Sequence, residues 1–342
     1  MRELTVSTEP AYRVVIGKGL ISRLGGLLPH PYGSIAVISD DNVFPLYGNA
    51  VVQALEETGA RVFCKVFPHG ENSKTPQTLV ELVEFLAESR LTRSDLVVAL
   101  GGGVVGDAAG FAASVYLRGV SCIQIPTSLL AMIDSSVGGK TAVDLPQGKN
   151  LMGSFFQPSL VLCDIDVLAT LPRTEFLNGI GEAIKYGAIA DRVLFASLCG
   201  GRVEDAEDLI ARCLDIKRSA VEEDPSDHGV RQMLNFGHTL GHGIEKLSGF
   251  RVPHGQAVVM GMCRITRWAE ARGLSPAGTA AELERTARAF GLDTDYPCDG
   301  TALFEAALHD KKRRGGHLTL VLLRAIGQYY LYELDLAAES TF

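Results

Sequence analysis

The chain has 342 residues, of which 46% are hydrophobic, and it carries a formal net charge of −8 at pH 7. This length is enough for two domains with separate cores. The acidic balance and the lack of a long basic block argue against nucleic acid or an anionic membrane as the main partner. No run approaches the roughly 18 apolar residues that span a bilayer. The seven dispersed cysteines include no C-x-x-C pair, which favours a reducing, cytoplasmic location.

The first half of the chain alternates between strand-like and helix-like segments. β-Branched and apolar runs predict strands at 34–39, 61–67, 95–100 and 121–125. Helical periodicity predicts helices at about 43–57, 75–89 and 105–115. Strands that alternate with helices predict an α/β domain with a parallel sheet that is covered by helices on both faces.

The second half is mainly helical from Thr174 onward. Helices are predicted at about 174–190, 204–223, 229–247, 254–272, 276–290 and 301–311, and a late strand at 318–325. We therefore expect a domain boundary near residue 170, with an α/β domain at 1–170 and a mainly helical domain at 171–342.

Three glycines, Gly101–Gly103, follow the predicted strand at 95–100 and precede a predicted helix. Glycine permits a close backbone approach, and the helix start offers unpaired N–H groups and a positive dipole end to a pyrophosphate. The spacing differs from G-x-G-x-x-G, and by itself such a turn is equally typical of a purely structural role. Polar loops follow the two preceding strands, at Asp40-x-Asn42 and Gly70–Lys74. Three such loops at successive strand ends favour a nucleotide site.

A possible metal site is indicated in the second half. His238 and His242 are four residues apart, His254 begins the next predicted helix, and Glu182 lies on an earlier one. A catalytic zinc typically takes three ligands from His and Glu and keeps one position open. A lone histidine pair at this spacing is more often structural, and the residue after His238 is not the glutamate of the H-E-x-x-H proteases.

Cationic and polar residues accompany this set: Lys185, Lys217, Arg231 and Asn235. A continuous helix at 229–247 would place Arg231 and Asn235 on the same face as His238 and His242. The alternative is a solvated charged edge. That alternative accounts for the basic run at 311–314, but it does not explain polar residues that are interleaved with Met233, Leu234, Phe236 and Leu240.

Seven stretches carry a family resemblance: GGGVVGD (101–107), YLRG (116–119), PTSLLAMIDSSVGGKTAVDLPQGKNLMGSFFQP (126–158), GIGEAIKYG (179–187), LNFGHTLGHGIE (234–245), VPHGQAV (252–258) and HDKK (309–312). In order and spacing they resemble the 3-dehydroquinate synthases, within the sugar-phosphate cyclases. Runs such as DSSVGGKTAV are highly specific. The departures are slight: Met132 and Asp144 stand where many members carry Gln and Asn.

The resemblance implies a Rossmann-like NAD domain followed by a mainly helical metal and substrate domain. It implies NAD and, between the domains, a zinc ion (or cobalt in its place) held by Glu182, His238 and His254, with His242 in the substrate pocket. Arg118 resembles the family arginine that reaches the substrate phosphate from the partner subunit, which implies a homodimer. Substrate contacts carry over to Asp134, Lys140, Asn150, Lys185, Lys217, Arg231, Asn235, His242, Lys311 and Lys312. Cofactor contacts carry over to Asp40, Asn42, Glu71, Lys74, Gly102, Gly103, Asp107, Thr127, Ser128, Lys140, Lys149 and Thr170.

The implied reaction converts 3-deoxy-D-arabino-heptulosonate 7-phosphate to 3-dehydroquinate and phosphate, a step of the shikimate pathway to aromatic amino acids. It would proceed by transient oxidation with NAD, phosphate elimination, re-reduction and intramolecular aldol closure.

Three alternatives remain open at this point. A sister cyclase is one, namely an amino-dehydroquinate, deoxy-inosose or valiolone synthase. Arg231, Lys217 and the pair Lys311–Lys312 argue against the sisters whose substrates lack a carboxylate, since buried cations would face no anion. A metal-dependent polyol dehydrogenase would consume NAD and needs no phosphate-binding set. A non-catalytic nucleotide-binding module would leave the Glu/His/His set without a purpose.

Overall fold

The computed structural model describes residues 1–225, 227, 229–308 and 317–336. The chain divides into two compact units, Met1–Pro172 and Arg173–Phe342. Lys311 and Lys312, two of the predicted substrate contacts, lie outside the described residues. None of the helices within the described ranges is long and apolar enough to cross a membrane.

The first unit is built on a seven-stranded sheet. Its nine strands, including a separate hairpin, are β1 (Arg2–Val6), β2 (Tyr12–Gly17), β3 (Ser34–Asp40), β4 (Arg61–Phe67), β5 (Leu96–Gly101), β6 (Ser121–Pro126), β7 (Lys140–Leu145), β8 (Gly148–Phe155) and β9 (Leu160–Asp164). The sheet order is β1-β2-β9-β6-β5-β3-β4. Only β1 pairs antiparallel within this sheet. Strands β3, β5 and β9 are buried throughout, as expected when helices cover both faces of a parallel sheet. The predicted parallel sheet is confirmed.

Helices of the first unit connect these strands: α1 (Leu24–Leu27), α2 (Asn49–Glu56), α3 (Pro76–Glu88) and α4 (Gly103–Val115). The Thr75 side chain caps α3 by accepting a hydrogen bond from the Thr78 amide at 3.2 Å, and Pro76 occupies the first turn. Alanines on one face of α4, among them Ala108 and Ala112, are fully buried in a core with Leu82 and Leu86 of α3. Small side chains there let α4 pack closely on its neighbours.

The strand order reverses beside β3. Strand β4 lies on one side of β3, whereas β5 and then β6 lie on the other. The ends of β3 and β5 are adjacent, because Ser39 pairs with Leu100 and its Oγ donates to the Leu100 carbonyl at 2.7 Å. Open α/β sheets bind ligands outside the carboxyl ends of the strands at such a switch point. The loops at Asp40 and Gly101–Gly103 therefore meet where a ligand is expected.

The second unit is mainly helical, as predicted. Its helices are α5 (Arg173–Ala190), α6 (Arg192–Leu198), α7 (Ala206–Glu223), α8 (His238–Leu247), α9 (His254–Ala271), α10 (Thr279–Phe290) and α11 (Gly300–Leu308), and β10 (His317–Ala325) pairs with β11 (Gln328–Asp335). Every residue of α5 from Gly179 to Ile189 is buried, so this helix forms the centre of the unit. The side chains of Asp191 and Asp205 cap the starts of α6 and α7.

The prediction of one continuous helix at 229–247 is wrong. A 3₁₀ helix covers Val230–Asn235, Phe236 turns to ψ 124°, and Gly237 adopts a left-handed φ of 77° before α8 begins. A Cβ atom on residue 237 would lie 2.5 Å from the Val258 carbonyl oxygen in α9, so this conformation and this contact both require glycine. Arg231 and Asn235 consequently do not share a helical face with His238 and His242.

Candidate active site

Three helices of the second unit bring Glu182, His238 and His254 together. The Glu182 Oε1 atom lies 3.5 Å from Nε2 of His238 and 3.5 Å from Nε2 of His254. All three potential ligand atoms lie within 4.8 Å of one another. Tetrahedral ligands bonded to zinc at about 2.0–2.2 Å are separated by about 3.3–3.6 Å. The spacing and the donor chemistry therefore fit a catalytic divalent metal.

Glycines allow the helices that carry this set to approach each other. A Cβ atom on Gly181 of α5 would lie 2.3 Å from the Gly255 carbonyl oxygen, and one on Gly255 would lie 1.9 Å from the Asn178 carbonyl oxygen. The Asn178 Oδ1 atom also accepts a hydrogen bond from the Gly255 amide at 2.5 Å. Glu182 and His254 are the sequence neighbours of these glycines, so the backbone contact fixes their separation. These roles could not be predicted from the sequence, because each depends on a tertiary contact.

A buried ion pair neutralises the carboxylate. Lys185, one turn beyond Glu182 in α5, contacts Glu182 Oε2, and the two side chains are 1% and 0% exposed. Removing a carboxylate from water is costly unless a cation compensates it. Lys185 supplies that cation on one oxygen, while the other oxygen faces the two histidines.

The protonation states of the two histidines differ. The Nδ1–H group of His238 donates to the Phe236 carbonyl at 3.2 Å, which leaves Nε2 as the lone-pair nitrogen towards Glu182. Burial lowers the pKa of His238 well below 6.5 despite the nearby carboxylate, so this imidazole is in the neutral form that binds metals. Burial also acts to lower the pKa of His254, but hydrogen bonds to Glu182 and Glu245 outweigh it and raise the pKa to about 10.

A second group of possible ligands shares His254. It consists of His242, Glu245 and His254, with His242 Nε2 4.0 Å from Glu245 Oε2. His242 is 63% exposed, whereas His238 is 13% exposed and Glu182 is fully buried. Glu245 was not among the site residues predicted from the sequence, although its position three residues after His242 on a helix indicates this contact.

The predicted substrate-binding cations of this unit lie on three segments. Lys185 lies beside the metal set, Lys217 is buried on α7, and Arg231 is buried in the 3₁₀ helix that packs against α7. The Arg231 guanidinium donates to the Pro225 carbonyl at 3.2 Å. Asn235 and His242 are exposed.

In the first unit, four predicted cofactor contacts adjoin the start of α4. Gly102 is the N-cap residue and Gly103 the first residue of this 13-residue helix. The Thr127 amide donates to the Gly101 carbonyl at 3.0 Å, and a Cβ atom on Gly102 would lie 3.6 Å from the Ser128 hydroxyl. The helix start, two glycines and two hydroxyl residues form a surface that suits a pyrophosphate.

Five further predicted residues form a polar cluster at the same edge. The buried Lys74 Nζ donates to Asp107 Oδ2 at 2.5 Å and to Asn150 Oδ1 at 2.5 Å. Lys149 Nζ lies 3.4 Å from Glu71 Oε1. The loop after β4, helix α4 and strand β8 are thereby joined. The hairpin β7–β8, which the sequence analysis did not predict, supplies two of these residues.

Other predicted residues of this unit have local partners. Asp40 Oδ1 accepts hydrogen bonds from the amides of Asn42 and Val43 at 3.0 and 2.7 Å, so its carboxylate orders the turn after β3. The Thr170 hydroxyl contacts the Tyr47 hydroxyl. Lys140 is exposed at the start of β7, and Asp134 is half-buried in the π-helix Ala131–Ser135.

Arg118 lies in a constrained turn. Leu117 and Arg118 both have left-handed φ angles, 50° and 66°, which are unfavourable for side chains with a Cβ atom. The Nε–H group of Arg93 donates to the Leu117 carbonyl at 2.9 Å and holds the turn. The Arg118 side chain is exposed on the surface of the first unit.

Comparison with known proteins gives consistent results over nearly the whole chain. Residues 64–178 match the family model "3-dehydroquinate synthase N-terminal" and residues 179–313 match "3-dehydroquinate synthase C-terminal". The chain is 45% identical over 341 residues to the 3-dehydroquinate synthase of Streptococcus gordonii, covering 97% of this chain and 96% of the relative. It is 44% identical to that of Streptococcus sanguinis with the same coverage.

Solved structures with the same fold include two other cyclases. A 2-deoxy-scyllo-inosose synthase complexed with carbaglucose-6-phosphate, NAD+ and Co2+ has a TM-score of 0.86 at 25% identity, covering 97% of this chain and 94% of that one. A 2-epi-5-epi-valiolone synthase from Streptomyces hygroscopicus with NAD+ and Zn2+ bound has a TM-score of 0.86 at 27% identity, covering 94% and 92%. Given the matched domains and the full-length relatives, the chain belongs to the 3-dehydroquinate synthase family.

Proposed function

We propose that this chain converts 3-deoxy-D-arabino-heptulosonate 7-phosphate to 3-dehydroquinate with elimination of phosphate, and so acts as a carbon–oxygen lyase. The observation that carries the proposal is the Glu182, His238 and His254 donor set, in a chain 45% identical to curated 3-dehydroquinate synthases. The sister cyclases among the solved structures are only 25–27% identical.

Glu182, His238 and His254 would hold the metal, and the edge of the first unit near the start of α4 would hold NAD. Two sister cyclases of known structure contain NAD+ with Co2+ or Zn2+, which supports the same pair of groups in this chain. Bound there, the metal would polarise a ring hydroxyl, and NAD would accept and later return a hydride without being consumed.

We assign phosphate binding to cationic and amide side chains. The Asn150 oxygen already accepts from Lys74, so its NH₂ group is the part that would donate to phosphate. Charge-assisted hydrogen bonds of this kind are stronger than neutral ones. The residues assigned to phosphate are Lys140 and Asn150 of the first unit, Lys185, Asn235 and His242 of the second, and Arg118 of the partner subunit.

We assign binding of the substrate carboxylate to Arg231 and Lys217, together with Lys311 or Lys312. The first two are buried on neighbouring segments, and a guanidinium forms a two-pronged contact with a carboxylate. Asp134 would accept a hydrogen bond from a substrate hydroxyl. The deoxy-inosose and valiolone substrates lack a carboxylate and would not use this two-pronged contact, which favours the heptulosonate phosphate.

The direct test follows phosphate and NADH together. The chain is mixed with zinc, a catalytic amount of NAD and the heptulosonate phosphate, and phosphate release is expected far beyond the NAD present while NADH does not accumulate. A hexose phosphate without a carboxylate serves as the control and should not react. NADH production equal to turnover would identify a polyol dehydrogenase, and absence of phosphate release would reject the proposed substrate.

A further inference from the structure

The carboxylate of Glu245 is buried on α8 and faces His254. Its side chain is 9% exposed, and its Oε2 atom lies 3.4 Å from Nδ1 of His254 and 4.0 Å from Nε2 of His242. Glu245 follows His238 by seven residues, which is two turns of the same helix. One helix therefore supplies both a potential metal ligand and a carboxylate for the histidine at the start of α9.

The two ring nitrogens of His254 face different carboxylates. Nε2 lies 3.5 Å from Glu182 in the metal set, and Nδ1 lies 3.4 Å from Glu245. An ionised carboxylate only accepts hydrogen bonds, so Nδ1 keeps its hydrogen towards Glu245, and Nε2 is the nitrogen that a metal would bind in exchange for its proton. Such a partner fixes the tautomer and orientation of the ring and makes the ligand nitrogen more basic.

We infer that Glu245 is a positioning residue which holds His254 in the orientation required for metal binding. This inference rests on the metal site of the proposed function. His254 needs such a residue because its side chain is less enclosed by packing: it is 30% exposed, whereas that of His238 is only 13% exposed. His238 is oriented by packing and by the Phe236 carbonyl, whereas the more open ring of His254 depends on a charged acceptor.

Two other roles are conceivable for Glu245, and each predicts experimental results that differ from those of a positioning residue. Glu245 could itself be a ligand, since His242, Glu245 and His254 also form a compact group. It could alternatively stabilise only the start of α9, because a negative charge near a helix N-terminus is favourable. The first role would make His242 essential for metal binding and His238 dispensable. The second would affect folding without affecting the metal.

The test measures zinc affinity by competition with a chromogenic chelator, so its readout does not depend on turnover. Glu245→Ala is expected to weaken zinc binding by about 10–100-fold, the usual effect of losing such a partner. Glu245→Gln keeps an oxygen that accepts from Nδ1 but loses the charge, so its loss should be smaller. His242→Ala should bind zinc like the wild type, and His238→Ala should lose the metal.

Each contrary result has a separate meaning. Wild-type zinc affinity in Glu245→Ala would overturn the inference. Loss of zinc in His242→Ala but not in His238→Ala would also overturn it, since Glu245 would then be a ligand. Normal zinc binding in both Glu245→Ala and His238→Ala would contradict the metal site of the proposed function itself.

A matched variant and a spectrum separate positioning from folding. Glu284→Gln removes a largely buried carboxylate of the same unit, which pairs with Arg267 and Arg288, and should leave zinc affinity unchanged even if stability falls. In the cobalt-substituted protein, Glu245→Gln should shift the visible d–d absorption, because the ligand field that His254 exerts on the cobalt ion changes. An unshifted spectrum together with wild-type affinity would show that Glu245 acts only on folding.

Discussion

At the scale of single residues, the Glu182–Lys185 pair is expected to link the stability of the protein to the proposed metal. Both side chains are almost completely buried, and they contact each other within one turn of α5. Glu182 also faces His254, whose pKa is raised to about 10, so a second positive charge balances it in the metal-free protein at neutral pH. A divalent cation bound at the proposed site would replace that proton with a stronger positive charge.

Lys185→Met is therefore expected to destabilise the metal-free protein more than the zinc-loaded protein. Breaking a buried ion pair costs about 3–5 kcal/mol, and the lower end applies here because protonated His254 stays beside the carboxylate. Zinc should offset much of this loss. Urea unfolding with zinc and with a chelator measures both values.

Lys246→Met provides the control for that experiment, because Lys246 is an exposed lysine of α8. It should change the free energy of unfolding very little in either condition. Equal destabilisation of Lys185→Met with and without zinc would show that the metal does not bind next to Glu182.

At the scale of secondary-structure elements, backbone contacts between helices assemble the metal set. Gly181 and Gly255 join α5 to α9, and Gly237 and Gly261 join α8 to α9, where a Cβ atom on Gly261 would lie 2.2 Å from the Gly237 carbonyl oxygen. A methyl group at any of these positions would meet backbone, which cannot move aside as a flexible side chain does. Helix α9 is therefore held against the two helices that carry the other residues of the proposed metal set, Glu182 and His238.

Gly255→Ala should both destabilise the second unit and weaken zinc binding. The new Cβ atom would lie 1.9 Å from the Asn178 carbonyl oxygen, and overpacking of this kind costs about 1–3 kcal/mol. Since α9 must move away from α5, His254 would move away from Glu182. Thermal unfolding and chelator competition measure the two effects.

Gly200→Ala is the matched control, since a Cβ atom on Gly200 would have no neighbour within 4 Å. It should retain wild-type stability and zinc affinity. Full zinc affinity in Gly255→Ala would mean that the distance between α5 and α9 does not set the metal geometry.

Most helices could be predicted from the sequence, as could the strands β3, β4, β5, β6 and β10, but the interruptions and the other strands could not. Apolar runs and helical periodicity indicated β3, β5 and α5 nearly to their ends, because these patterns are local. The break at Phe236–Gly237 was not predicted, since the reason for it lies in a contact with Val258 of α9. Strands β1, β2, β7, β8, β9 and β11 were not predicted either. Most residues of β8 are exposed, and no alternating pattern marks this strand. The three metal-site candidates could be named, but not the glycines that bring them together.

At the scale of the whole molecule, the sequence indicated a homodimer only through the family resemblance. In the first unit, apolar side chains are exposed next to Arg118, at Val115 and Leu117, and on β8, at Leu151 and Phe155. A hydrogen bond of 2.8 Å between Ser154 and Ser114 joins the two segments. Adjoining exposed apolar side chains are typical of an interaction surface, which supports the proposed homodimer with Arg118 acting in the partner's active site.

Mixing two inactive variants tests this arrangement. Arg118→Ala should lack the phosphate contact that each subunit gives to its partner, and His238→Ala should lack the metal; each homodimer is therefore expected to be nearly inactive. In a mixed dimer, the site of the Arg118→Ala subunit keeps its own His238 and receives Arg118 from the other subunit. Random exchange of equal amounts makes half of the dimers mixed with one intact site each, so phosphate release should recover to about a quarter of the wild-type rate.

The recovery depends on which subunit provides the arginine. If Arg118 acted in its own subunit, both sites of a mixed dimer would carry a defect, and mixing would restore nothing. Subunit exchange must be shown independently, for example by native mass spectrometry of the mixture, so that a lack of recovery can be interpreted. As a control, mixing His238→Ala with His254→Ala should give no activity, since in every mixed dimer each site lacks one metal ligand of its own subunit. Recovery in the first mixture alone would show that the phosphate site is completed across the dimer, and a monomeric mass at working concentration would contradict it.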